Sequence, residues 1–285
     1  MRQRLLSYLV VLLMFSINFA LCNWAIRNSL DYGAVTFSTI LLFVTIFILL
    51  ERLMPYKKDW HPTIPEWKRD GVYFVLVILA GAIGQGLVYE IAFYFAKPLG
   101  AMPLWSEIFL ALLIATFGGY CFHRLGHSVP FFWRIHGIHH VPNKVNLANN
   151  SVVHAFDVIG STFFSQLPLL LIGFSEEAMF IAGMFTAIQG YFIHANIDVR
   201  LGWLSYIIAC PESHRLHHSV INEEAGHYGA DIVLWDLIFK SFTWQDKKAP
   251  KVVGVEDSLS FPLTESVLEN AIHPFRPSYR RSITK

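Results

Sequence analysis

The sequence predicts an all-α integral membrane protein, with about four spanning helices, a helical hairpin and a helical cap on one face of the bilayer. Composition is the first reason. Of 285 residues, 54% are hydrophobic and only 15% charged, where soluble domains carry about 25% charged residues. The second reason is continuity: the apolar residues gather in runs that approach the roughly 20 residues needed to cross the hydrocarbon core.

Taken in order, the runs fall at about 5–26, 34–50, 72–96 and 105–122, followed by a pair at 158–172 and 178–193 separated by GFSEE. The first opens on MRQR and lacks an A-x-A-like cleavage site. It is also longer than the apolar core of a signal peptide, so it reads as a retained helix. The run at 158–172 is short and contains Pro168, which suggests a re-entrant or tilted half of a hairpin. LGWLSYIIAC and IVLWDLIFKSF are too short to cross and are expected at the interface or over a site. The polar, proline-dotted stretch 246–285 reads as a cytoplasmic tail. No repeat or linker divides the chain, so 1–104 (membrane helices), 105–245 (catalytic region) and the tail are expected to form one integrated domain.

Lysine and arginine in short loops set orientation. Arg2 and Arg4 precede the first run, and Arg52, Lys57, Lys58, Lys68 and Arg69 lie between the second and third; the opposite side offers only Arg27 and Lys97. The N-terminus, the 51–70 loop and, by even crossings, the segment after residue 122 are therefore expected in the cytoplasm. A net charge of +1 gives no field for nucleic acid. Cys22, Cys121 and Cys210 lie far apart in apolar surroundings, neither a disulfide framework nor a CxxC pair.

On this apolar chain the histidines are unevenly placed. Eleven of thirteen fall between 123 and 227. His123 and His127 are spaced i, i+4; His136, His139 and His140 are spaced i, i+3, i+4, as are His214, His217 and His218. Residues three and four apart are neighbours on a helix, so each box is expected to point its imidazoles at one common volume. Neutral rings packed for structure alone would leave many nitrogens without partners in an apolar setting, whereas metal ions satisfy them together. Imidazole suits Zn, Cu, Fe and Ni. A tetrahedral zinc takes about four ligands, and eight box histidines exceed that, which suits two ions with open positions. An all-nitrogen pair can be reduced and bind dioxygen, and beside a membrane its natural substrate is an acyl chain or sterol ring. The spacing shows ligands, not iron.

These residues also carry a resemblance. H-R-L-G-H at 123–127, W-R-I-H-G-I-H-H at 133–140, N-S-V-V-H at 150–154, H-A-N-I-D at 194–198, P-E-S-H-R-L-H-H-S at 211–219, H-Y-G at 227–229 and W-D-L-I-F at 235–239 follow one another as in the fatty acid hydroxylase superfamily, also called the sterol desaturase family. The chain resembles in particular its bacterial sterol-desaturase-like and alkylglycerol-monooxygenase-like members, over about 115–245. The resemblance implies a non-haem centre of two iron ions that uses O2 and two external electrons to hydroxylate or desaturate a C–H of a lipid. By position it implies His123, His127, His136, His139, His140, His194, His214, His217 and His218 as ligands, with His154 matching a further family histidine. His227 departs from the family, which usually has Asn there; an added ligand, a hydrogen-bond donor behind the ligands and a bystander are all open. It further implies residence in a bacterial inner membrane, or in the endoplasmic reticulum if the source is eukaryotic.

Metal-bound imidazoles usually donate their second N–H to a carboxylate, carbonyl or water. Asp157, Asn196, Asp198, Glu212, Asp231 and Asp236 are candidates for that role, against the alternative of solvated caps. Tyr120, Phe131, Phe132, Trp133 and Trp235 can line an acyl channel, or serve as interfacial aromatics and packing. No His-Pro-Gly-Gly motif of a fused cytochrome b5 and no cysteine-rich ferredoxin module is present, so a separate donor of the cytochrome b5 or ferredoxin type is expected. The rival readings are a desaturase using the same centre and, from another class, a metal transporter or store. A transporter would string polar residues through the bilayer, and Glu90 is the exception among spans with few ionisable groups.

Overall fold

The computed structural model describes residues 2–97, 99–100, 102–246 and 248–281. They form ten α-helices, some joined by short connections and others by longer stretches that hold 3₁₀ turns, and isolated bridges are the only β pairing among them. Five helices are long and apolar enough to cross a membrane, which makes the chain a multi-pass membrane protein.

Helices α1 (Arg2–Arg27) and α2 (Tyr32–Leu53) form a hairpin whose turn is closed by Asp31, accepting the Ala34 N–H. Helix α3 (Ile64–Phe95) starts eight residues before its apolar run, because Thr63 and Glu66 form a capping box with Pro65 in the first turn. Helix α4 (Leu104–Ser128) likewise runs past residue 122. His123 and His127 therefore ride on the last turns of a membrane helix rather than beyond its end. Pro130 opens α5 (Pro130–His140) and forces the break after Ser128.

Helix α6 (Ala155–Ile172) contains Pro168 yet is continuous and, by length and composition, counts among the five candidate spans. Gly173 ends it in the left-handed conformation, with φ of 85°, and Ser175 caps α7 (Glu176–His194). Gly118 of α4 lies so close to the Phe164 carbonyl of α6 that a Cβ has no room, the small-residue packing membrane helices use. Helices α3, α4 and α6 pack together, and α1 and α2 pack on α7.

The two short apolar segments become a 3₁₀ turn at Gly202–Tyr206 and α9 (Leu234–Ile238); Trp203, Tyr206, Leu237 and Ile238 on them are exposed. Between them lies α8 (Pro211–His217). The last segment, with α10 (Val267–Ile272), packs back on α3 and α5. The Tyr73 hydroxyl donates to the Thr264 carbonyl and Arg134 to that of Pro274, and Phe261 fills the space over Gly137.

Candidate metal centre

Four helices deliver the histidines. The C-terminal turns of α4 carry His123 and His127; α5 carries His136, His139 and His140; α7 ends on His194; and α8 carries His214 and His217, with His218 at its cap. Gly126 lets α4 and α5 close on each other, since a Cβ there would stand 2.9 Å from His136 Cβ.

The rings sort into two groups. His123, His127, His136, His140 and His217 form one, and His139, His194, His214 and His218 the other, with one ligand atom per residue lying within 4.8 Å of its fellows in each. This corrects the expectation that each box serves one volume. On a helix i and i+4 are about 40° apart, while i+3 lies about 60° to the other side of i. The middle box therefore sends His136 and His140 to the five-histidine group and His139 to the other. The third box sends His214 and His218 to the four-histidine group and His217 to the first. The groups share a wall where His140 and His218 stack with ring centroids 4.2 Å apart.

Backbone carbonyls and one carboxylate orient most of the rings. The Nδ1 atoms of His123 and His194 lie 2.7 Å from the Tyr228 and Asn146 carbonyls. That of His136 lies 2.9 Å from Asp157 Oδ2, that of His139 3.3 Å from the Val152 carbonyl, and that of His217 2.9 Å from the Gly226 carbonyl. A carbonyl only accepts, so these rings carry their proton on Nδ1 and aim the Nε2 lone pair inward. Nε2 of His123, His127, His194 and His217 is buried without a partner. Those of His136 and His140, and of His214 and His218, face each other at 3.1 Å. Buried polar atoms are rarely left so, and converging lone pairs are what a cation satisfies; the residues fit a pair of metal ions. Burial pushes the His217 imidazole down to about 3. Burial, reinforced by neighbouring imidazoles, holds His139, His140, His214 and His218 well below the ordinary value. Burial thus favours the neutral, ligating form in these five rings.

Two of the eleven expected histidines stand apart. His154 spends both nitrogens on structure. Its Nδ1 accepts the Phe156 N–H as the N-cap of α6, and Nε2 lies 3.1 Å from the Ala271 carbonyl. His227 belongs to neither group; its buried ring packs against Phe242, and its φ is +74°. Asn and His are among the residues that tolerate that conformation.

The carboxylate and amide candidates divide similarly. Asp157 reaches His136. Asp236 accepts the Tyr228 and Gly229 N–H groups, each at 2.8 Å, and so fixes the carbonyl that holds His123. Asn196 exchanges hydrogen bonds with Lys57, and Asp198 pairs with Arg200. Glu212 and Asp231 hold no ring: burial raises both, Asp231 to about 7. Among the aromatics, Trp133 lies 5.2 Å from His127 between ring centroids. It lines a cavity of about 330 Å³ whose floor includes His127 and His140 and whose walls include Val220, Glu256 and Phe261. Tyr120 and Trp235 are engaged elsewhere, with Ser241 and Thr116. The sequence reading missed Tyr228, whose ring centroid stands 5.1 Å from that of His127, although H-Y-G was in view. The carbonyls of Asn146, Val152 and Gly226 leave no trace in side-chain chemistry.

Comparison with known proteins agrees with this geometry. A family model described as fatty acid hydroxylase matches residues 108–241. Ornithine lipid hydroxylase OlsE of Rhizobium tropici is 30% identical over 253 residues, which cover 84% of this chain and 75% of that protein. Human alkylglycerol monooxygenase is 28% identical over 158 residues, 54% of this chain and 34% of the relative. Fatty acid hydroxylase vlmA of Lecanicillium is 29% identical over 154 residues, 47% and 42% of the two chains. No solved structure matches. The chain belongs to the fatty acid hydroxylase family. It spans three quarters of the first of these relatives but less than half of the other two.

Proposed function

We propose that this protein is a membrane-bound, O2-dependent oxidoreductase that hydroxylates a C–H of a lipid at a non-haem centre of two iron ions. The observation that carries the reading is the pair of histidine groups with inward, unpartnered Nε2 atoms joined at the His140–His218 stack. Bound iron would supply O2 activation, with two electrons from a separate donor of the cytochrome b5 or ferredoxin type.

The chain's own residues do the rest. The five-histidine group and the four-histidine group hold one ion each. Their fixed Nδ1–H bonds keep the tautomer that ligation needs, as partners behind metal ligands generally do. Trp133 and Phe261 supply apolar walls to the cavity above His127 and His140, and the reacting part of the lipid is received in it. The relatives' names, lipid hydroxylases and alkylglycerol monooxygenases, support a lipid as substrate. The loop charges support a site on the cytoplasmic face, and a bacterial inner membrane suits the relation to OlsE.

The test is O2 consumption by anaerobically purified protein in lipid vesicles with a chemical reductant. Uptake that needs both lipid and reductant and yields a hydroxylated lipid supports the proposal. An alkene product would assign desaturation instead, and no lipid-dependent uptake would exclude oxidation.

A further inference from the structure

A carboxylate is almost never fully buried unless it is paired, yet Glu51, in the last turn of α2, is 3% exposed. Its partners are two main-chain amides. Oε1 accepts the N–H of Leu147 and that of Asn196, each at 2.7 Å.

Those amides flank the four-histidine group. Leu147 follows Asn146, whose carbonyl holds His194 Nδ1 at 2.7 Å; Asn196 lies two residues past His194. One oxygen thus closes a loop that runs from Glu51 through Leu147 and Asn146 to the His194 ring and back through Asn196. The stretch after α2 adds to the grip. Tyr56 N–H donates to the Asn196 carbonyl at 3.0 Å, and Asp198 N–H to that of Met54 at 2.9 Å. The Asn196 side chain is tied to Lys57 through both of its polar atoms. In the five-histidine group, by contrast, the rings of His123, His136 and His217 are held by Tyr228, Asp157 and Gly226, none of which touches Glu51.

From this asymmetry we infer that Glu51 is a positioning residue for one of the two groups. By pinning the Asn146 and Asn196 segments it sets the direction of His194 Nε2, and so the affinity of the four-histidine group for its ion. The inference rests on the reading of the two groups as metal sites. It requires only an acceptor at Oε1, not the negative charge, because a single amide oxygen has two lone pairs and can receive both N–H groups.

The test is iron content of the full-length protein purified anaerobically and titrated with Fe(II), with Mössbauer spectra to separate coupled from isolated ions. Wild type should hold two ions per chain. Glu51→Ala should hold one at wild-type affinity and bind the second about 10–100-fold more weakly, with the coupled signal replaced by an isolated one. Glu51→Gln should restore both ions and the coupled signal. Should the alanine variant fail to fold, Glu51→Asp, which draws the carboxylate back by one methylene, takes its place with the same expectation. Two ions at full affinity in the alanine or aspartate variant would overturn the inference, as would parallel loss of both ions in a folded variant or a glutamine variant that behaves like alanine. A wild type that never holds two ions would instead overturn the functional proposal itself.

Discussion

His140 and His218 stack with their ring centroids 4.2 Å apart and their planes 23° from parallel. Each belongs to a different histidine group, so this contact couples α5 to the cap of α8 and joins the two groups. Replacing His140 removes a member of one group and the wall of the other. His140→Ala should lower iron content by about one ion per chain and abolish the spectroscopic coupling of any iron that remains, whereas His136→Ala should lose iron with little effect on membrane insertion. Full metal content in either variant would contradict the assignment.

The cap role of His154 gives a prediction opposite to that for a ligand. His154→Ala removes the acceptor for the Phe156 N–H at the start of α6, and a lost N-cap costs about 0.5–2 kcal/mol. Thermal unfolding in detergent should begin at lower temperature while metal content stays unchanged. Loss of an ion would show that His154 is a ligand.

At His227 the backbone decides. With φ at +74°, His227→Asn should leave stability and metal content close to wild type. His227→Val should destabilise by roughly 1–2 kcal/mol, because a β-branched residue is strained there. Metal analysis beside melting curves separates this from ligation, in which the asparagine variant would lose an ion.

Asp231 makes stability depend on pH. Burial raises its carboxyl to about 7 from an ordinary 3.8. Between those values the unfolded chain gives up the proton and the folded chain keeps it, so stability falls as pH rises from about 4 to 7 and the penalty is fully present above 7. Asp231→Asn should raise the unfolding temperature at pH 8 and leave it nearly unchanged at pH 4. An equal shift at both pH values would show that ionisation is not the cause.

Much of this site was legible because helical spacing is a strong signal. The i, i+3, i+4 boxes told which imidazoles would gather, His194 came only from the family resemblance through H-A-N-I-D, and the apolar runs told where the membrane helices lie. What the spacing could not give was the division of labour inside each box, since that depends on how α5 and α8 are rotated against their neighbours. Helix ends were misjudged where hydropathy and capping part company. The start of α3 follows Thr63 and Glu66, and the end of α4 carries polar His123 and His127 past the last apolar stretch. The partners of the rings stayed hidden for a different reason: Tyr228, Asn146 and Gly226 act through carbonyl oxygens, which every residue has.

Iron stoichiometry of anaerobically purified protein tests the central claim most directly. About two iron ions per chain are expected, falling to about one when His217→Ala opens the five-histidine group and again to about one when His194→Ala opens the four-histidine group. A wild-type chain that holds a single ion, or two ions untouched by both substitutions, would contradict it.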